Sequence, residues 1–296
     1  MVRAEAPQGL RLLTHPVTWL DVFTATPLTG NGLAVVHGAD GLDDATMLAF
    51  ARETRLSETT FVQTAGEPAA DYRNRIWVMA GELPFAGHPS LGTAVAVALE
   101  RGLREASLVQ QTHAGLQPVD VVFSSDTLAR ASMLQEPAVF GAQLDAEALA
   151  VVGLSADDAD PALPAQVVST GLTHALIPVA DPEALARCRV DRASLDAFLT
   201  EHGCVTAYVA HTDRATGAVS ARAFFIDPLT ASEDPATGSA AGPLCALLAR
   251  HAGIERITVH QGVQMGRPSR IEAALEADRV RVGGDVVVLM RATLTL

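Results

Sequence analysis

Two glycine-centred segments constrain this chain most: Phe85-Ala86-Gly87-His88-Pro89-Ser90-Leu91-Gly92-Thr93 and Glu233-Asp234-Pro235-Ala236-Thr237-Gly238-Ser239-Ala240-Ala241-Gly242. Each leads from an apolar, strand-like run into a long stretch of Ala, Val and Leu, which reads as a helix apolar on most faces and therefore buried. A buried helix that begins at glycine aims its unpaired N–H groups, and the positive end of its dipole, at whatever precedes it. Two copies of this device predict a duplicated fold whose helix starts jointly hold one anion.

The flanking elements repeat in the same order. In the first half, 18–23 and 33–36 read as strands with Asn31-Gly32 as a hairpin signal. Residues 43–54 have helical spacing with Asp43 or Asp44 as cap, and 59–62 and 72–79 read as strands. In the second half, 171–179, 205–209 and 221–226 read as strands and 194–199 as helix. The matching distances differ, so this is a weak internal repeat. The boundary is expected between about Pro137 and Leu163, where 143–164 is rich in Ala, Asp and Pro and its end near Pro161 and Pro164 reads as a linker.

With 49% apolar and 19% charged residues in a chain of 296, a large core and two domains are expected. A formal charge of −13 opposes nucleic acid and anionic membrane surfaces. All 21 basic side chains counted as Lys or Arg are Arg. Without a lysine the chain forms no Schiff base to pyridoxal phosphate and no P-loop. Cys188, Cys204 and Cys245 show no paired spacing and fit free thiols, which together with no apolar leader and no span-length segment predicts a cytoplasmic protein. The histidines form no metal-binding pair at helical spacing, and Gly87 to Gly92 lacks the Gly-x-Ser-x-Gly elbow of a serine hydrolase.

Gly87 permits close approach to a ligand, and Pro89 suits a first helical turn because its missing N–H would be an orphan there. Read alone, His88 and Asp234 fit plain helix caps as well as groups facing a bound anion. Glu58, at the entrance to a strand, is by itself a solvated carboxylate.

Leu20-Asp21-Val22-Phe23, Gly30-Asn31, Ser57-Glu58-Thr59-Thr60-Phe61, Glu82-Leu83-Pro84-Phe85-Ala86-Gly87-His88-Pro89, Glu233-Asp234-Pro235-Ala236-Thr237-Gly238-Ser239 and Gln261-Gly262 with Gly266-Arg267-Pro268-Ser269 occur in this order. Together they resemble the phenazine-biosynthesis PhzF-like family, within the diaminopimelate epimerase fold, over nearly the whole chain. The resemblance implies an α+β fold of two pseudo-symmetric domains, each a curved, mostly antiparallel sheet wrapped around a central helix. These would be 15–142, completed by a C-terminal strand at 286–296, and 155–285, with the site in the cleft between them. It also implies a homodimer.

By the same resemblance Glu58 is the acid/base carboxylate, with Asp234 and His88 beside it and Gly87, Thr237, Gly238 and Ser239 binding substrate. One buried carboxyl can take a proton from carbon and return it to another carbon if the substrate is shielded from water, so no cofactor and no metal are required. The helix starts would bind a small carboxylate-bearing substrate and stabilise the charge of an enol or dienolate. Ala86 and Asp234 stand where related epimerases place thiols, which excludes two-thiol racemisation. Gly32 stands where many members have Pro, a change that bears on the local hairpin and not the chemistry, whereas His88-Pro89-Ser90 differs from the commoner His-Ala-Thr, which bears on pocket shape and substrate. Three readings stay open: a cofactor-independent isomerase, an epimerase or lyase using Glu58 and Asp234, and a non-catalytic metabolite-binding protein. Arg267 is read as part of a turn near the cleft and left out of the site.

Overall fold

The computed structural model describes residues 13–227 and 231–296. Among them are six α-helices and seventeen strands, and the strands form one continuous hydrogen-bonded sheet. The strands are β1 (Thr14–Val22), β2 (Asn31–Val36), β3 (Glu58–Gln63), β4 (Tyr72–Val78), β5 (Gly81–Leu83), β6 (Glu105–Thr112), β7 (Gly115–Phe123), β8 (Leu128–Leu134) and β9 (Val139–Gln143). They continue with β10 (Gln166–Ser169), β11 (Thr173–Pro178), β12 (Thr206–Asp213), β13 (Ala218–Ile226), β14 (Ala231–Asp234), β15 (Arg256–Gln261), β16 (Ser269–Glu276) and β17 (Arg279–Thr295).

The pairings repeat. β1–β2 is antiparallel, β2–β3 parallel, β3–β4 and β4–β5 antiparallel, β4–β6 parallel, and β6–β7 and β7–β8 antiparallel. The same senses recur in β10–β11, β11–β12, β12–β13, β13–β14, β13–β15, β15–β16 and β16–β17. β17 joins the two sets by pairing with β16, with β8 and with β1. The first set therefore closes on itself through β17 in a barrel-like ring, which leaves no free edge along that circuit.

Each set surrounds one helix. The first central helix, Gly87–Glu100, is buried from Gly87 through Ala98, and the second, Gly238–Ala252, buries Ala240 through Leu248. Both contribute to one apolar cluster that includes Leu91, Val95, Leu244 and Leu247. Truncating one such Leu to Ala costs about 2–5 kcal/mol by lost transfer energy and a residual cavity. Side-chain chemistry repeats as well: Arg75 clasps Glu82 through two nitrogens and lies over Trp77, and Arg222 does the same with Glu233 and Phe224.

Of the two caps that the sequence offers, Asp43 is the one used: it caps the Asp44–Thr54 helix through the Thr46 N–H at 2.8 Å. Asn31-Gly32 is not a hairpin turn. The chain turns through residues 23–30, and Asn31 and Gly32 are already paired with β1 opposite Val22 and Asp21. Asn-Gly marks a tight turn only where both residues adopt positive φ; here Gly30 does so instead, at φ 64, with Val22 O only 2.4 Å from where a Cβ would stand. The boundary region is packed rather than open: Leu149, Val152 and Leu154 are buried with Ile177, Leu195 and Phe198, and Leu163, between the two prolines read as linker, is buried too.

Candidate active site

The two central helices start against each other. A Cβ built on Gly87 would stand 3.0 Å from Ser239 N, a contact that only glycine allows without displacement. Asp43, Asp181 and Asp191 cap their helices by side-chain acceptance, whereas the N-caps of the central helices, Ala86 and Thr237, make no side-chain cap bond. Their first N–H groups thus keep the donor capacity that a cap would consume. Ala86 and Thr237 are also the matching positions of the repeat. Thr237 rather than Asp234 is therefore the counterpart of Ala86, which corrects the expectation from the motifs alone. Neither is a cysteine.

Glu58 begins β3 with its side chain 16% exposed, and its Oε2 lies 3.4 Å from Nε2 of His88, the second residue of the first central helix. Asp234 ends β14 and accepts from Thr237 Oγ1 at 2.6 Å and from Asn31 Nδ2 at 2.8 Å. Asn31 Nδ2 also lies 3.2 Å from both His88 Nδ1 and the Ala236 carbonyl, and Asn31 Oδ1 accepts from Ser57 Oγ at 2.9 Å. Because the Ala236 carbonyl only accepts, this atom of Asn31 is the donating nitrogen, and His88 Nδ1 must be an acceptor. With Nδ1 accepting, the His88 proton is on Nε2, 3.4 Å from Glu58 Oε2, and these two buried atoms have no hydrogen-bond partner of their own among the described residues.

Burial governs the protonation of this group. It raises the Glu58 carboxyl well above the usual range, the charge of Asp234 adds to the rise, and the Ser57 hydroxyl opposes it. Burial also raises Asp234, but less, since bonds from Thr237 and Asn31 favour its ionised form. The same desolvation pushes His88 down to about 3, so it is neutral at physiological pH. A high-pKa carboxyl beside an ionised one and a neutral imidazole is a constellation that can hold and return a proton.

The second helix start is held from three sides. Phe23, at φ 64 in a region unfavourable for a bulky residue, lays its ring against Gly238, 2.6 Å from where a Cβ would stand. Gln135 Nε2 donates to the Gly238 carbonyl at 3.0 Å. Gln261 donates to the Asp234 carbonyl and to Thr237 Oγ1, while its Oε1 accepts from the Thr237 N–H and the Tyr208 hydroxyl. His174 is fully buried, with Nδ1 2.8 Å from Thr206 Oγ1, and its ring reaches the Ser239 backbone.

All seven residues singled out from the sequence, Glu58, His88, Asp234, Gly87, Thr237, Gly238 and Ser239, thus lie around the two helix starts. Sequence reasoning missed Asn31, Ser57, Gln261, Tyr208 and His174. Asn31, Ser57 and Gln261 stand inside the motifs of the resemblance and could have been found there; Tyr208 and His174 carry no local signal. Among the described residues no three His, Cys, Asp or Glu side chains are placed to hold a metal ion.

The architecture defines a class before it defines a family. The chain shares the fold of a hydroxyproline epimerase from Agrobacterium vitis, at 13% identity and a TM-score of 0.64 over 96% of this chain and 93% of that one. The sheet-rich, barrel-like arrangement is thus an epimerase-type fold. The family model described as phenazine biosynthesis-like protein matches residues 20–292, and the chain belongs to that PhzF family. It is 34% identical to trans-2,3-dihydro-3-hydroxyanthranilate isomerase of Pseudomonas fluorescens, over 95% of this chain and all of that protein. A predicted epimerase from Pseudomonas aeruginosa is similar in structure, with 39% identity and a TM-score of 0.82 over 95% of this chain and 99% of that one. The chain is an isomerase of this family.

Proposed function

We propose that the two pairing sets are two domains, 15–142 completed by 286–296 and 155–285, and that their cleft carries out acid/base isomerisation of a small carboxylic acid. In its ionised form Glu58 takes a proton from a carbon next to an electron-withdrawing group and returns it to another carbon. The negative charge that develops in the enol or dienolate is met by N–H groups of Gly87, His88, Gly238 and Ser239, which also hold the substrate carboxylate. Neutral His88 sets Nε2 3.4 Å from Glu58 Oε2, where neither atom has a hydrogen-bond partner of its own among the described residues, and Asp234, ionised and fixed by Asn31 and Thr237, sustains the raised proton affinity of Glu58. The reaction needs no cofactor, since one carboxyl group closes the proton balance.

The observation that carries this reading is the partly buried, high-pKa Glu58 facing His88 beside two uncapped helix starts in contact. The test is incubation with trans-2,3-dihydro-3-hydroxyanthranilate, the compound named in the Pseudomonas relatives, in deuterated water. Isomerisation changes the ultraviolet spectrum, and NMR shows the proton moved to another carbon, with deuterium there to the extent that Glu58 exchanges with solvent before returning it. Neither change, with this compound and with a panel of cyclic and amino carboxylic acids, contradicts the reading.

Asp234, partly buried with a raised pKa, supports a second reading in which Glu58 and Asp234 serve as the two proton-transfer groups of an epimerase or lyase. Deuterium exchange without a spectral change would favour it. The family resemblance further supports a homodimer, which light scattering tests, and the three buried free thiols support a reducing, cytoplasmic setting.

A further inference from the structure

Asn31 touches Asp234, His88 and Ser57 at once, so the position of one peptide unit sets the geometry of the whole proton-transfer group. That unit is clamped from the other half of the chain. Arg267 Nε donates to the Gly30 carbonyl at 2.8 Å, and its terminal nitrogen donates to the Thr29 carbonyl at 2.9 Å and to Asp21 Oδ1 at 2.7 Å. The Gly30 N–H in turn donates to the Pro268 carbonyl at 3.0 Å. The second Asp21 oxygen accepts from the Leu28 N–H at 2.7 Å, which ties the far side of the same loop. Asp21 is buried at 1% exposure, and Arg267 is its ion-pair partner.

We propose that Arg267, paired with Asp21, is a positioning residue for the isomerase reaction: it straps the loop 21–31 to the loop 262–269 and so fixes Asn31 against His88 and Asp234. The proposal rests on the reading of Glu58, His88 and Asp234 as the proton-transfer group. Its physical basis is the shape of guanidinium. A planar fork bonds two successive carbonyls and a carboxylate in one rigid geometry, which an ammonium cannot reproduce. The carbonyl it grips belongs to the peptide that carries the Asn31 nitrogen, so losing the grip frees that peptide to rotate. Gly30 offers no side chain to resist the rotation, and its left-handed conformation depends on the surrounding contacts.

The test compares wild type with Arg267→Ala, Arg267→Lys and Asp21→Asn. Nitrogen NMR of ring-labelled histidine, assigned with His88→Asn, reads the His88 tautomer without any substrate. Wild type shows His88 as a single form protonated at Nε2; Arg267→Ala and Arg267→Lys show a mixture of both tautomers. With trans-2,3-dihydro-3-hydroxyanthranilate as probe, kcat falls by up to about 100-fold in Arg267→Ala, the scale of a displacement of about an ångström at a reacting group. KM changes little, and millimolar guanidinium restores part of kcat in Arg267→Ala. Should Arg267→Ala fail to fold, Asp21→Asn, which keeps side-chain size but breaks the ion pair, gives the same readout.

A folded Arg267→Ala protein of lowered thermal midpoint but unchanged His88 tautomer and kcat makes Arg267 merely structural and overturns the proposal. A wild-type His88 protonated at Nδ1, or full activity in Glu58→Gln, refutes instead the site reading on which it rests. If the probe is not turned over, the tautomer comparison decides alone.

Discussion

Gly87→Ala probes the contact between the two helix starts with a single methyl group. The added Cβ would stand 3.0 Å from Ser239 N and 3.4 Å from Gly238 C, whereas carbon contacts are optimal at about 3.5–4.0 Å, so the backbones must part by roughly 0.5 Å. They have little room to do so, because Gly238 is backed by the Phe23 ring and its carbonyl is held by Gln135 at 3.0 Å. Overpacking of this kind costs about 1–3 kcal/mol. Alanine recovers at most about 1 kcal/mol of helix propensity, and less at the first helical position. The net loss of about 1–2 kcal/mol lowers Tm by several degrees, at about 2–4 °C per kcal/mol for a chain near this size. Parting the helix starts also moves the donors from the developing charge, so kcat falls by about 10- to 100-fold. Calorimetry and steady-state kinetics check both numbers. Gly41→Ala is the control, since its Cβ meets no atom within 4 Å. If Gly87→Ala matches the control in Tm and kcat, the two helix starts are not in the contact described.

Asp234→Asn removes the charge that adds to the rise of Glu58, so the Glu58 carboxyl titrates at lower pH. Carbon NMR of labelled Glu reads the shift directly, and an unchanged titration would show that Asp234 does not act on Glu58. A carboxyl whose folded pKa is raised contributes stability that is full below its ordinary value of 4.5 and lost as pH rises through the raised value, so Glu58→Gln gains Tm relative to wild type with rising pH. A constant difference in Tm from acid to alkaline pH contradicts the raised pKa. Alkylating reagents leave turnover unchanged under native conditions, because burial pushes the Cys188 and Cys204 thiols up to about 11 and Cys245 up to about 12. Rapid inactivation by iodoacetamide would place a thiol in the reaction.

The repeated glycine segments were legible because a buried helix needs a continuous apolar run and a glycine start, both local properties. Glu58 was legible through its motif, and Asp43 through its capping position. Asn31 misled as a turn signal because Asn-Gly has no unique structural meaning: its side chain is committed to Asp234, 203 residues away. The closure of the ring by β17 is similarly nonlocal, since one strand alternately serves β8, β16 and β1 and its sequence pattern names no partner. Arg267 read as part of a turn near the cleft, outside the site, because only the folded chain brings it to Asp21, 246 residues earlier. The tight approach of Gly87 to Ser239 is a property of two helices from different halves, which no window of sequence contains.

The central claim is that Glu58 carries the proton. Its most direct test is Glu58→Gln in deuterated water with whichever carboxylic acid the wild-type protein exchanges. Glutamine keeps the shape of the side chain and removes its basicity, so both turnover and deuterium incorporation are expected to fall by at least about two orders of magnitude, the scale of losing a general base. The folded variant should still bind the acid, because the helix-start donors are untouched. A folded Glu58→Gln protein that exchanges deuterium at close to the wild-type rate would contradict the account.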